Sequence, residues 1–524
     1  MAASITKKHV LLRFCRHFRV VFAQQRFKTS AAALSSVQQA PGSVERNIED
    51  ILGGTKPRNH PGIMHVKSVC LPERLVDAVE ATLQRTGSSA NELKENATYL
   101  KNYLWSRKRP VEDADVRRKA QEVAEEFTKL QEVAEEFTKL GLLEEETDLM
   151  DEKALKQQKK VERKVLKKVQ QQLYHWQPVT WNQTTGLAYL VGKAPGVYAA
   201  TYRVLSEIKK REPKFRPMTL MDYGSGAGMT VWAAHALWGR WLREYSCFDT
   251  SSSMNDLAEL LLRGGEENGK LLHPNTFFRQ YELPNPNVKH DLVVCAYSLS
   301  EQPSAVQRMR VVRRLWRKTS QFLVVVENGT NEGYKMVMEA RDLVLSGKAD
   351  SKGTLTEDVL DSELEDDESA GPEQAQLSDK PSAHVFSPCP HDASCPRLTD
   401  ASETPCNFQQ SYQPPNFMAV LPKSNGNSSL LETFSYVVLR KGQRSEDSAA
   451  WPRIVRSVLR RPRHVHCRMC LANGQLEEAV ITSRKRGKLL YRCARMSEWG
   501  DMLPGWPPVE GTEDMTSTSE DSEQ

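Results

Sequence analysis

Six of the ten cysteines lie beyond residue 388: Cys389, Cys395, Cys406, Cys467, Cys470 and Cys493. The first three sit among prolines in SPCPHDASCPRLTDASETPC, and Cys467 and Cys470 form the C-x-x-C of HCRMC. Thiolates are metal ligands, and thiol clusters in a reducing compartment bind metal more often than they pair as disulfides. Structural zinc favours two short C-x₂₋₄-C knuckles, whereas iron–sulfur clusters accept four cysteines at irregular spacing. One short pair is present and the other half is loose. The spacing favours iron–sulfur and leaves zinc open.

A second chemical motif runs Asp222-Tyr-Gly224-Ser-Gly226-Ala-Gly228, with Asp249 further on. Glycines allow a sharp turn and a close backbone approach to a ligand. The spacing is G-x-G-x-G rather than the G-x-G-x-x-G of dinucleotide folds. With an acid two residues ahead, it resembles motif I of class I S-adenosylmethionine methyltransferases. Asp249, ending the next strand, stands where such folds hold the ribose hydroxyls. The same region argues against methyl transfer. Exocyclic amine methylation usually uses an [Asp/Asn/Ser]-Pro-Pro-aromatic loop after the fourth strand, and this chain has Ala296-Tyr-Ser-Leu-Ser-Glu301. Methylating C5 of a pyrimidine needs a thiolate nucleophile, and Cys295 lies inside an apolar strand, where a cysteine is usually structural. Glu301 and Glu327 are candidate bases, each more simply a carboxylate capping a strand end.

These motifs need a frame. MTLMDYGSGAG (218–228) reads as strand then loop, MTVWAAHALW (229–238) as helix, and REYSCFDTSSS (243–253) as a second strand before the helix NDLAELLLRGG. DLVVCAYSLSE (291–301) and FLVVVENGTNEG (322–333) read as two further buried strands. β-Branched runs alternating with helices predict an α/β fold with a parallel, doubly wound, Rossmann-like sheet. Residues 419–442 read as a closing antiparallel hairpin. Residues 72–175 read as helical, with QEVAEEFTKL duplicated at 121–130 and 131–140. The simpler reading of that duplication is a tolerated lengthening of a surface helix rather than a function. A basic helix follows over 153–168.

The chain of 524 residues has a net charge of +5, which conceals a sharp asymmetry. Residues 350–379 hold eleven acids against Lys352, residues 510–524 hold six acids and no base, and residues 1–44 hold seven bases and no acid. Without these segments of −10, −6 and +7, the remainder stands at +14. So basic a body points to a polyanionic partner, most plausibly nucleic acid. Arg453, Arg456, Arg460, Arg461, Arg463 and Arg468 form one cationic group, and Arg484, Lys485, Arg486 and Lys488 a second. The Arg-rich, acid-free start is the pattern of a mitochondrial transit peptide. No run approaches the ~20 apolar residues of a membrane helix, so membrane insertion is not expected. The divisions expected are a transit peptide at 1–44, a helical region at 45–185 and a methyltransferase-like core at 186–347. A disordered acidic insert at 348–380, a cysteine-rich basic region with closing strands at 381–505 and an acidic tail at 506–524 complete the chain.

ATYRVLSEIKK…FRPMTLMDYGSGAG, VVVENGTNEGY, SPCPHDASCP and RPRHVHCRMC…LYRCARMSEWGD together resemble a mitochondrial methyltransferase-like family associated with the small mitoribosomal subunit. The likeness spans roughly residues 50–505. It implies a class I methyltransferase fold binding S-adenosylmethionine through Asp222, Gly224, Gly226, Gly228 and Asp249. It also implies a [4Fe–4S] cluster on Cys389, Cys395, Cys406 and Cys467, with Cys470 and Cys493 as bystanders, although local spacing alone favours Cys470. The implied role is assembly of the small subunit on its rRNA in the matrix, as a monomer on the ribosome, with methylation lost. An active rRNA methyltransferase is the alternative, and a zinc-bearing RNA-binding module unrelated to ribosomes is a third reading.

Overall fold

A computed structural model describes residues 48–87, 89–109, 177–281, 288–347, 383–399, 404–421, 429–445 and 450–506. The expected transit peptide (1–44), the duplication (121–140), the basic helix (153–168), the acidic insert (348–380) and the acidic tail apart from Trp506 lie outside the described residues.

The larger sheet runs β3(Thr276–Arg279), β2(Glu244–Phe248), β1(Thr219–Tyr223), β4(His290–Ala296), β5(Thr319–Asn328), β8(Leu430–Lys441), β6(Ala383–Ser387), and β7(Phe408–Tyr412) also pairs with β8. Strands β1 to β5 are parallel, and β8 is antiparallel to β5, β6 and β7. Apolar runs such as LVVCA in β4 and FLVVV in β5 are buried throughout, as a sheet covered on both faces requires. Two apolar clusters fill the two sides. One gathers α3(Gln183–Gly192), α4(Ala194–Arg211) and α5(Met229–Trp238), and the other gathers α7(Ala305–Lys318) and α8(Asn331–Leu345). Helix α6(Ser252–Leu262) sits on the first side against α1(Glu73–Thr86), and α2(Ala90–Ser106) packs on α3. No helix among the described residues is long and apolar enough to cross a membrane.

Residues 450–506 build a smaller antiparallel sheet, with β10(Leu459–Arg460), β11(Val465–Cys470) and β12(Leu476–Ile481) in order and β9(Arg453–Ile454) also on β11. With α9(Lys488–Met496), it encloses a third apolar cluster that includes Ile48 and Leu52 from the N-terminal side. Asp501 clasps that N-terminal strap, accepting hydrogen bonds from the Met64 and His65 amides at 2.6 and 2.7 Å and pairing with His65 Nδ1 at 2.7 Å.

The two sheets meet at a buried charge network. Glu207 on α4 is fully buried, and Arg453 reaches it with Nη2 at 2.6 Å and Nη1 at 3.3 Å. Arg203 and Arg211 lie within one helical turn at 3.4 and 3.2 Å. Ser387 and Tyr436 donate to the same carboxylate. Burial alone would raise the Glu207 pKa, but the three guanidinium groups outweigh it and hold the carboxyl below the usual range. Arg453 is thus a structural cation at 2% exposure, not part of a nucleic-acid surface as its place in the arginine run suggests.

Candidate functional site

The cofactor-type motif forms at the carboxyl end of β1. Gly224, Gly226 and Gly228 all adopt positive φ, at 67°, 51° and 78°. A Cβ on Gly224 would stand 2.1 Å from the Ser298 hydroxyl, so the turn requires glycine there. The amides of Gly224 and Ser225 donate to the Phe248 carbonyl, that of Gly226 to Asp249 and that of Gly228 to the Ser225 carbonyl. With those four amides engaged within the protein, the loop has fewer N–H groups to offer a phosphate. It offers close backbone approach instead.

The loop borders a cavity of about 510 Å³ lined by Gly224, Gly226, Asp249, Thr250, Gln280 and Tyr281 on one side. Asp249 accepts the Gly226 and Ser251 amides at 2.9 Å, one on each oxygen, and each oxygen retains a lone pair for a ligand. Asp222 and Gly228 are not in the wall. Asp222 is buried beneath the loop, with its carboxylate facing the Thr230 hydroxyl. Burial pushes its pKa up to about 7, tempered by the Thr230 hydroxyl.

The lining also carries residues that sequence reading does not single out. Lys193 Nζ bonds Glu432 at 2.6 Å and Asn328 at 2.8 Å, and lies 4.4 Å from the centre of the Tyr297 ring. Tyr297 donates to Glu432 at 3.0 Å and has a φ of 58°, the one positive φ on a non-glycine residue among those described. The available signal was a lone lysine inside the apolar run LAYLVGKAPGVYAA. Glu301 lines the cavity but is held bidentately by Arg107, while Glu327 bonds the Ser300 amide and stays outside the lining. Cys295 is fully buried, and burial raises its thiol pKa well above normal. Neither glutamate is an unencumbered base facing the cavity, and the thiol is not a ready nucleophile.

The cysteines gather elsewhere. Cys389, Cys395, Cys406 and Cys470 line one gap beside Arg397 and Arg453 at the joint between the sheets. Cys467, expected as the fourth member, is not there. It lies in the apolar cluster of the smaller sheet with Cys493. Parity decides this, because residues three apart on a strand face opposite ways. Cys467 shares the buried face of Val465 and Met469, and Cys470 turns toward the larger sheet. Burial drives the Cys470 pKa upward, and the neighbouring thiols Cys389, Cys406 and Cys395 add to it. Burial likewise raises Cys389 to about 11, against the opposing charge of Arg341. Tyr334 donates to Cys395 Sγ at 3.1 Å, and His391 Nε2 lies 3.2 Å from Cys470 Sγ. The gap is small, about 10 Å³. Among the described residues no three His, Cys, Asp or Glu side chains converge tightly enough to hold a single metal ion. Zn–S bonds are about 2.3 Å and a polynuclear iron–sulfur core is larger still, so the gap as it stands seats neither. Seating such a core would require the loops to part.

The remaining cations lie toward the surface. Arg460 donates to the carbonyls of Arg495 and Ser497, pinning the end of α9, and Arg468 pairs with Glu478. Arg461, Arg463, Arg484, Lys485, Lys488 and Arg492 are exposed, and the Arg461 carbonyl accepts a hydrogen bond from Arg495, which seats this turn beside α9.

Residues 183–354 and 374–504 match the family model described as mitochondrial small ribosomal subunit Rsm22. The chain belongs to the Rsm22 family. The human mitochondrial ribosome assembly protein METTL17 is 37% identical over 508 residues, covering 97% of each chain. The mitochondrial ribosome assembly protein RSM22 of Saccharomyces cerevisiae is 24% identical over 250 residues, 34% of this chain and 38% of that one. Among solved structures, an S-adenosylmethionine-dependent methyltransferase from Aquifex aeolicus aligns at 17% identity and a TM-score of 0.22, covering 29% of this chain and 76% of that one. The strand order of this Rsm22-family chain, with one antiparallel strand beside β5, is that of a Rossmann-like methyltransferase fold.

Proposed function

We propose that this chain is an assembly factor of the small mitoribosomal subunit in the mitochondrial matrix, binding subunit rRNA and proteins as a monomer on the ribosome. It holds S-adenosylmethionine in the glycine-loop cavity and a [4Fe–4S] cluster on Cys389, Cys395, Cys406 and Cys470, and it transfers no methyl group. The observation that carries the reading is the near-full-length likeness to a mitochondrial ribosome assembly protein. The geometry of the glycine-loop cavity supports the cofactor part of this reading. Asp249 is pre-oriented for paired hydroxyls, and the loop suits a ligand without phosphate. Lys193 and Tyr297, both bonded to Glu432, help line the cavity. The cluster, when bound, would cross-link the loop of Cys389, Cys395 and Cys406 to strand β11. These thiols would then bring the basic module to RNA already ordered, so that less entropy is lost on binding.

Two expected results follow from this reading. Changing Arg461 and Arg463 together to Glu should weaken binding to small-subunit rRNA by about tenfold or more and flatten its salt dependence. Filter binding across a salt series, with a thermal melt alongside, measures both; unchanged affinity would remove this surface from the interface. Gly224→Ala should weaken S-adenosylmethionine binding by about tenfold or more, equivalent to about 1.4 kcal/mol, because the added methyl collides with Ser298 in a left-handed turn. Isothermal titration reads that loss, and an unchanged Kd would place the cofactor elsewhere.

A further inference from the structure

The end of the sheet opposite the glycine loop carries a second cleft. It lies where the chain enters β1 and β2, before Thr219 and before Glu244, whereas the cofactor-type cavity lies beyond Tyr223 and Phe248. The cleft encloses about 740 Å³, and its walls include Lys209, Arg216, Arg240 and Trp241. No acidic residue lines it. Trp241 is 48% exposed, unusual for so large an apolar ring, and the Arg216 guanidinium lies 5.2 Å from its centre.

Three carboxylates near the starts of β1, β2 and β4 lie outside this lining. Glu212 pairs with Arg440 at 2.6 Å, Glu244 accepts the Ser246 hydroxyl at 3.0 Å, and Asp291 accepts the Met218 and Thr219 amides. Lys209 donates to the Leu237 carbonyl and Arg216 to the Pro213 and Phe215 carbonyls. Those are bonds to neutral oxygens, so both cations keep their charge and their remaining donors.

An exposed indole beside guanidinium groups, in a groove free of acids, has the chemistry that recognises a stacked nucleobase and its phosphate. The base meets the ring face, and Arg and Lys take the backbone oxygens. We propose that this cleft binds a segment of single-stranded RNA, with one base stacked on Trp241 and the adjoining phosphates held by Arg216, Arg240 and Lys209. The proposal rests on the RNA-binding reading above and extends it. The chain would then grip RNA at two separated points, the Arg461–Arg463 face and this cleft.

The test is fluorescence anisotropy of a labelled oligouridylate with the full-length protein, across a salt series. Trp241→Ala should weaken binding about fivefold or more without changing the salt slope, because it removes stacking and no charge. Trp241→Phe should restore most of the affinity. Arg216→Glu with Arg240→Glu should lower both the affinity and the slope. All the substituted side chains are on the surface, and a thermal melt matching wild type confirms folding. If the Trp241 and Arg216/Arg240 variants bind as wild type does while Arg461→Glu with Arg463→Glu weakens binding, the cleft is not an RNA site and the RNA reading stands. If wild type itself binds no RNA, both fall. If a polyglutamate peptide binds in a Trp241-dependent way and RNA does not, the cleft takes an acidic protein partner and the proposal is overturned.

Discussion

Replacing Cys470 with serine is expected to strip iron from the protein, whereas replacing Cys467 with serine leaves it bound. Protein isolated without oxygen should lose its visible charge-transfer absorbance and its acid-labile sulfide in the first variant only. The difference is geometric. Cys470 faces Cys389, Cys395 and Cys406 across one gap, and Cys467 points into the apolar cluster around Ile454, Val465 and Ile481. Cys467→Ser should instead cost stability, about 1–3 kcal/mol for a hydroxyl buried without a partner. Iron lost from the Cys467 variant and kept in the Cys470 variant would reverse the ligand assignment. Wild type that is colourless and iron-free yet fully folded would remove the cluster altogether.

That contrast also marks how far the primary structure could be read. The strand–loop–helix of residues 218–238 and the buried strands around residues 292 and 324 are local patterns, and they stand where periodicity and glycine spacing place them. The glycine loop is legible because its conformation depends on its own residues. Which thiol of HCRMC faces the gap is less so, since local spacing favours Cys470 while the family resemblance implies Cys467. C-x-x-C on a turn brings two thiols to one point, but here the motif lies in a strand, and three residues change the face. Whether HCRMC is strand or turn depends on its pairing with β12, which no local pattern declares. Charge misleads in a similar way. Arg453 and Arg463 look alike in a run of arginines, yet one is buried against a glutamate 246 residues away and the other is exposed. Lys193 and Glu432 are a comparable pair, 239 residues apart, and only the folded sheet brings them together.

Glu207→Gln should cost about 3–5 kcal/mol of stability, because it leaves buried guanidinium charge without its counter-charge. Arg453 would suffer most, since it is buried and would keep the neutral carbonyls of Pro388 and Gly500 and the Ser387 hydroxyl but no charged partner in Glu207. The loss should reach the cysteines as well, for the Arg453 bond to the Pro388 carbonyl, at 2.8 Å, anchors the residue before Cys389. Chemical denaturation measures the cost, and the pH dependence identifies the cause. With its folded pKa depressed, Glu207 contributes its full stability above the unfolded value of about 4.3 and loses that contribution as pH falls through the folded value. The gap between wild type and Glu207→Gln should therefore be constant near neutrality and shrink in acid. A gap that persists undiminished at low pH would mean that the substitution acts through packing and that the buried charges are not what joins the two sheets.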